Sequence, residues 1–158
     1  MRIILDLDGT CIGDPRDERG MTMVSPRPGI HNFLRELRRR GHTLVLWTAA
    51  SKEWVREVGA TFPKLFSFFR EVYTRETKPA CDRRHAYFKD IRRIGGDILI
   101  DNEPDFKLIA DAEGQGHRYI WIPTFRTGIK DRSVEHLEDI LTYIDRMHRS
   151  GRVKTRAS

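Results

Sequence analysis

Five short apolar runs punctuate this chain, and amphipathic stretches separate them. The runs are "RIILDL", "HTLVLWT", "FFREVYT", "DILIDN" and "HRYIWI". Between and after them, apolar residues recur at helical spacing. "IHNFLRELRRRG" places Ile30, Phe33, Leu34 and Leu37 on one face, with Pro28 near its start and Gly41 as a stop signal. "SKEWVREVGATF" has Ser51 as an N-cap, "PDFKLIADAEGQG" is a third clear helix, and "RRHAYFKDIRRIGG" reads as partly helical. "SVEHLEDILTYIDRMH" puts Leu137, Ile140, Leu141 and Ile144 on one face. Strands alternating with helices predict an α/β domain, a Rossmann-like parallel sheet with helices on both faces.

The chain has 158 residues, which suits one domain and leaves no room for a second. We expect that domain to span 1–149, followed by a basic, disordered tail over 150–158. No run approaches the ~18 apolar residues of a membrane span. Asp6 and Asp8 interrupt the only N-terminal apolar stretch, so no signal peptide is expected. Cys11 and Cys81 are too few and too distant to define a disulfide framework, and a reducing, cytoplasmic setting follows. The six histidines show no zinc-like spacing with them. Net charge is +6, a field that favours polyanionic partners, although a solvated basic face explains it equally well. "GQG", starting at Gly114, follows a helix and precedes a strand, so it reads as a helix C-cap and turn, not a phosphate loop.

Ligands of open α/β sheets gather at the carboxyl ends of strands. Three ends are unusual here. The first offers Asp6, Asp8, Gly9 and Thr10; the second, Thr48 before a helix N-terminus; the fourth, Asp101 and Asn102 before Pro104. Two carboxylates at the end of a buried strand are costly without a partner. Carboxylate and amide oxygens suit a hard cation such as Mg²⁺. Beside it, Asp6 could attack phosphorus, and Asp8 could protonate the leaving group and then take a proton from water. A helix N-terminus near Thr48 would favour an anion.

These residues resemble the haloacid dehalogenase superfamily of phosphatases. Within it they are most similar to the C-terminal-domain phosphatases that act on phosphoserine in RNA polymerase II tails. The resemblance runs from Arg2 to about Ile144. "DLDGT" is similar to the first motif, implying Asp6 as nucleophile and Asp8 as acid/base; Gly9 stands where that group usually carries Glu. "RPGIHNFL" and "LWTAAS" resemble the same group and imply Thr48 on the phosphate, and the resemblance also implies phosphate contacts at Gly9 and Ala49. "ILIDNEP" implies a Mg²⁺ site of Asp6, Asp8, Asp101 and Asn102. "YFKDIRRIGGDI" resembles the segment carrying the phosphate-binding lysine, implying Lys89, with Lys78 of "TKP" as competitor.

The expected function is Mg²⁺-dependent phosphomonoester hydrolysis through an aspartyl-phosphate. No insertion is long enough for a large cap domain, so a macromolecular substrate is expected, a phosphoprotein before a nucleic-acid end. The competing reading from another class is a catalytically silent module that docks phosphorylated partners. Asp8 argues against it, because binding alone does not require a second carboxylate. A cytoplasmic location is expected, or a nuclear one in a eukaryote.

Overall fold

The computed structural model describes residues 1–15, 24–77 and 87–151. Its five strands are β1 (Arg2–Leu5), β2 (Thr43–Trp47), β3 (Glu71–Tyr73), β4 (Ile98–Asp101) and β5 (Tyr119–Trp121). They form one parallel sheet in the order β3-β2-β1-β4-β5. The helices are α1 (Ile30–Arg39), α2 (Lys52–Thr61), α3 (Pro63–Phe66), α4 (Pro104–Ala112) and α5 (Ser133–Arg149). The fold is the α/β, Rossmann-like sheet that the alternation of runs predicts.

Strand periodicity divides the core into two layers. Ile3, Leu5, Leu44, Leu46, Ile98 and Ile100 pack on one face with Phe33, Leu34 and Leu37 of α1, Val55 and Val58 of α2, and Leu137, Ile140 and Ile144 of α5. Ile4, Val45 and Leu99 point the other way, onto Phe106 and Ala110 of α4 and onto Phe88 and Ile91. Burial on both faces is why these strands read as unbroken apolar runs.

The ends of several elements differ from expectation. "FFREVYT" yields only Glu71–Tyr73, because Pro63 starts the short helix α3 and Phe68 and Phe69 remain in its closing turns. Those aromatic residues pack partly buried against the core. "RRHAYFKDIRRIGG" contributes a 3₁₀ turn over Ile91–Ile94. In "HRYIWI" a second 3₁₀ turn, Gly116–Arg118, takes up the first two residues. Gly114 adopts φ +69° after α4, as a helix-terminating turn requires. Residues 152–158 of the expected tail, Cys81 and Lys78 lie outside the described residues. Among the described residues, no helix is long and apolar enough to cross a membrane.

At the end of the sheet opposite the polar strand termini, His42 is buried beside the Met1 α-amino group (3.4 Å) and edge-on to His148. Burial first, then the Met1 ammonium and His148, lowers its pKa to about 4. The unfolded chain takes up the proton near 6.5, so the stabilising effect of neutral His42 is complete above that pH. It is lost progressively as pH falls from 6.5 to 4. We expect a loss on the order of 1–2 kcal/mol after solvent screening. Urea titrations at stepwise pH should show that acid slope, and His42→Gln should flatten it.

Candidate active site

Strand order reverses at β1, whose neighbours are β2 and β4. Such a switch point leaves a crevice outside the carboxyl ends of the strands. Asp6 follows β1 and its N–H donates to the Ile100 carbonyl of β4 (3.1 Å). Thr48 follows β2, its N–H donating to the Tyr73 carbonyl of β3 (3.0 Å). Asp101 ends β4. Asp6, Asp8, Thr48, Ala49, Lys89, Asp101 and Asn102 line one open cleft of about 540 Å³. Trp54, Arg75, Tyr87 and Phe106 form part of its walls.

Lys89 sits at the centre. Its Nζ donates to Asp6 Oδ1 (2.6 Å) and Asp101 Oδ2 (2.7 Å), and the ammonium is 5.8 Å from the centroid of the Phe106 ring. Burial opposes the lysine charge, but the Asp101 and Asp6 carboxylates outweigh it and hold the ammonium above the ordinary lysine range. Burial likewise dominates at Asp6 and, against the pull of Lys89, raises its pKa to about 6. Asp6 is therefore largely ionised at neutral pH. The segment carrying Lys89 is pinned by Tyr119, whose hydroxyl donates to the Lys89 carbonyl (2.9 Å) and accepts from the Ile91 N–H (3.3 Å).

After β1 the chain folds back in a tight turn around Leu7, whose carbonyl accepts from the N–H groups of Thr10, Cys11 and Ile12. Gly9 has φ +76°, and a Cβ there would lie 2.6 Å from the Asn102 amide. Any larger residue would displace Asn102. Gly9 does not line the cleft, and its N–H donates to the Ile12 carbonyl (2.9 Å). Thr48 Oγ1 accepts from the Ala50 N–H (3.0 Å), and Ser51 caps α2 by accepting from the Trp54 N–H (3.3 Å).

One end of the Asn102 amide is 3.1 Å from the Asp8 carbonyl oxygen, 3.2 Å from Asp6 Oδ2 and 3.1 Å from Thr10 Oγ1. With nitrogen inward, the amide donates to those oxygens. With oxygen inward, the Asp6 carboxylate, the Asp8 carbonyl and the Asn102 amide form an all-oxygen set, which a hard cation would hold together. The residues therefore fit Mg²⁺ in the second orientation. Asp101 is engaged differently: Oδ1 accepts from the Glu103 N–H (2.9 Å) and Oδ2 from Lys89. Among the described residues, no group of three or more His, Cys, Asp or Glu is placed to hold a metal ion, so the all-oxygen set combines one carboxylate with a backbone carbonyl and an amide.

The family profile described as NLI interacting factor-like phosphatase matches residues 1–154. The chain belongs to this family. It is accordingly a phosphatase of the haloacid dehalogenase superfamily, in the C-terminal-domain phosphatase group. The silent-module reading gives way to that assignment. Solved structures share the fold at low identity. A putative beta-phosphoglucomutase from Thermotoga maritima aligns at TM-score 0.58 and 12% identity, over 92% of this chain and 99% of that one. A chain of a Pnkp1/Rnl/Hen1 complex aligns at TM-score 0.54 and 13% identity, over 81% of this chain and 47% of that one. The phosphatase thus matches about half the length of that partner in the comparison. No significant match emerges among curated protein sequences.

Two residues of the phosphatase site escape sequence reasoning. Trp54 Nε1 donates to Asp8 Oδ1 at 2.9 Å. Arg27 is only 1% exposed, and its guanidinium donates to the carbonyls of Thr10 (2.6 Å), Gly9 (2.8 Å) and Pro123 (2.6 Å) and to Ser133 Oγ (3.1 Å). It also lies over the Phe125 ring at 5.5 Å. A buried cation that spends its donors on backbone carbonyls clamps the turn after β1 to the segment after β5 and the start of α5.

Proposed function

We propose that this phosphatase is a Mg²⁺-dependent phosphomonoesterase working through an aspartyl-phosphate on Asp6, and that its phosphate arrives on a macromolecule. The observation that carries the reading is Asp6 at the floor of an open cleft, hydrogen-bonded to a buried lysine and facing the Asp8 carbonyl and the Asn102 amide. Asp6, the Asp8 carbonyl and Asn102 would hold the metal, with Asp101 serving as the anchor of Lys89. Mg²⁺, when bound, would reduce the repulsion between a carboxylate nucleophile and a phosphate dianion.

The rest follows from the chain's own groups. Lys89, Thr48 and the amides following it, including Ala49, hold the phosphoryl oxygens. Asp6 Oδ forms a bond to phosphorus as the ester P–O bond breaks. Asp8 gives its proton to the departing oxygen. It then takes a proton from the water that attacks the aspartyl-phosphate, which frees Asp6 and inorganic phosphate.

No segment near the first turn reaches the ~40 residues of an independent folding unit, so flanking groups of a polymer must supply the binding energy that a cap would supply for a metabolite. A phosphorylated peptide should therefore give higher kcat/KM than a sugar phosphate or a free nucleotide under one Mg²⁺ and salt condition. A clear preference for the small molecules would overturn the reading. A nucleic-acid end phosphate is the second reading, favoured by the +6 net charge. The structural likeness to a component of an RNA repair complex points the same way. A 5′- or 3′-phosphorylated oligonucleotide outpacing the peptide would select it.

A further inference from the structure

We propose that Trp54 is a positioning residue for proton transfer: its indole N–H designates which oxygen of Asp8 carries the catalytic proton. Trp54 Nε1 donates to Asp8 Oδ1 at 2.9 Å, across 46 residues of sequence. An indole nitrogen donates and never accepts. Oδ1 must therefore present a lone pair to it in both protonation states. The carbonyl oxygen of a protonated carboxyl is the better acceptor, so this bond favours Oδ1 as the carbonyl and the proton on Oδ2.

The indole is itself held. Ser51 Oγ accepts from the Trp54 backbone N–H, fixing the first turn of α2, and the Trp54 ring packs against the core layer containing Val55 and Val58. Thr48, at the other end of the same short segment, lines the cleft. One segment, 48–54, thus supplies both a phosphate-facing threonine and the group that orients the acid.

The step balances simply. The Oδ2–H proton moves to the ester oxygen as its bond to phosphorus breaks and the Asp6–phosphorus bond forms, leaving Asp8 as carboxylate with Oδ1 still accepting from Trp54. The inference rests on Asp8 as the acid, so the experiment tests both. kcat/KM, which reports phosphoryl transfer to Asp6, is measured for p-nitrophenyl phosphate and for an alkyl phosphate. Trp54→Phe removes the N–H and keeps an aromatic ring. A second variant carries 3-benzothienylalanine at position 54, in which sulfur replaces the N–H at nearly unchanged shape.

Both variants should lose about tenfold or more on the alkyl phosphate and no more than about threefold on the aryl ester, whose leaving group needs little protonation. Inhibition by inorganic phosphate should be unchanged. In an Asp8→Asn background, either change should cost no more than about twofold. Equal losses on the two esters, weakened phosphate inhibition, full additivity with Asp8→Asn, or an unaffected benzothienyl variant would each overturn the role of Trp54. If Asp8→Asn alone loses equally on both esters, the assignment of Asp8 as acid falls first.

Discussion

Asp6→Asn should abolish turnover and leave the fold intact. No other described group is placed to replace the nucleophile, so kcat should fall by at least about 10³-fold on every ester, aryl or alkyl. Leaving-group quality should not rescue it, which separates this variant from changes at Asp8. The fold should survive because an amide oxygen at the same position can still accept from Lys89 Nζ. Burial also raises the Asp6 pKa to about 6, so its charge is held against a desolvation cost that asparagine does not carry. Thermal unfolding should therefore show an unchanged or higher Tm in the metal-free protein. Retention of more than about a tenth of wild-type kcat would remove Asp6 from the nucleophile's place.

Lys89→Ala should damage both activity and stability. The ammonium is the cation between Asp6 and Asp101, both at least nine-tenths buried. Without it, two largely buried carboxylates face each other unpaired, and breaking such a buried pair costs about 3–5 kcal/mol. Urea denaturation at neutral pH would measure that loss. The transferring phosphoryl group also loses its protein cation, so kcat/KM should fall by about 10²–10³-fold. Lys78→Ala should stay within about threefold of wild type. The reverse ranking would transfer the phosphate-binding role to Lys78.

The sheet was legible because its strands are buried on both faces, so β1, β2 and β4 appear as unbroken apolar runs bounded by polar residues. Asp6, Asp8, Thr48, Asp101 and Asn102 could be singled out for the same reason: each stands where such a run stops, and parallel strands bring their ends together. Lys89 lies in neither a helix nor a strand, so periodicity says nothing about it, and only the likeness of "YFKDIRRIGGDI" to a known segment pointed there. Trp54 reads as one more residue of an amphipathic helix. That its indole points at Asp8 depends on how α2 sits over the turn after β1, which spacing does not encode. Arg27 looks like a loop charge between two prolines. Its burial is set by carbonyls from Gly9, Thr10 and Pro123, which no local pattern can reveal. The boundaries of β3 and β5 were blurred because an aromatic run and a short 3₁₀ turn border them with equally apolar residues.

The Arg27 clamp has a consequence for the order in which the molecule comes into being. The turn that aims Asp6 and Asp8 is tied to Pro123 and to Ser133, 96 and 106 positions downstream of Arg27. Contacts so remote in sequence are closed only after the intervening chain exists, and they slow the search for the native state. A nascent chain halted before residue 123 would own the catalytic carboxylates, β1, β2 and β4, but not the bracket that seats them. Until Ser133 at the start of α5 has been made, the carboxylates stand in the chain without the full bracket that aims them.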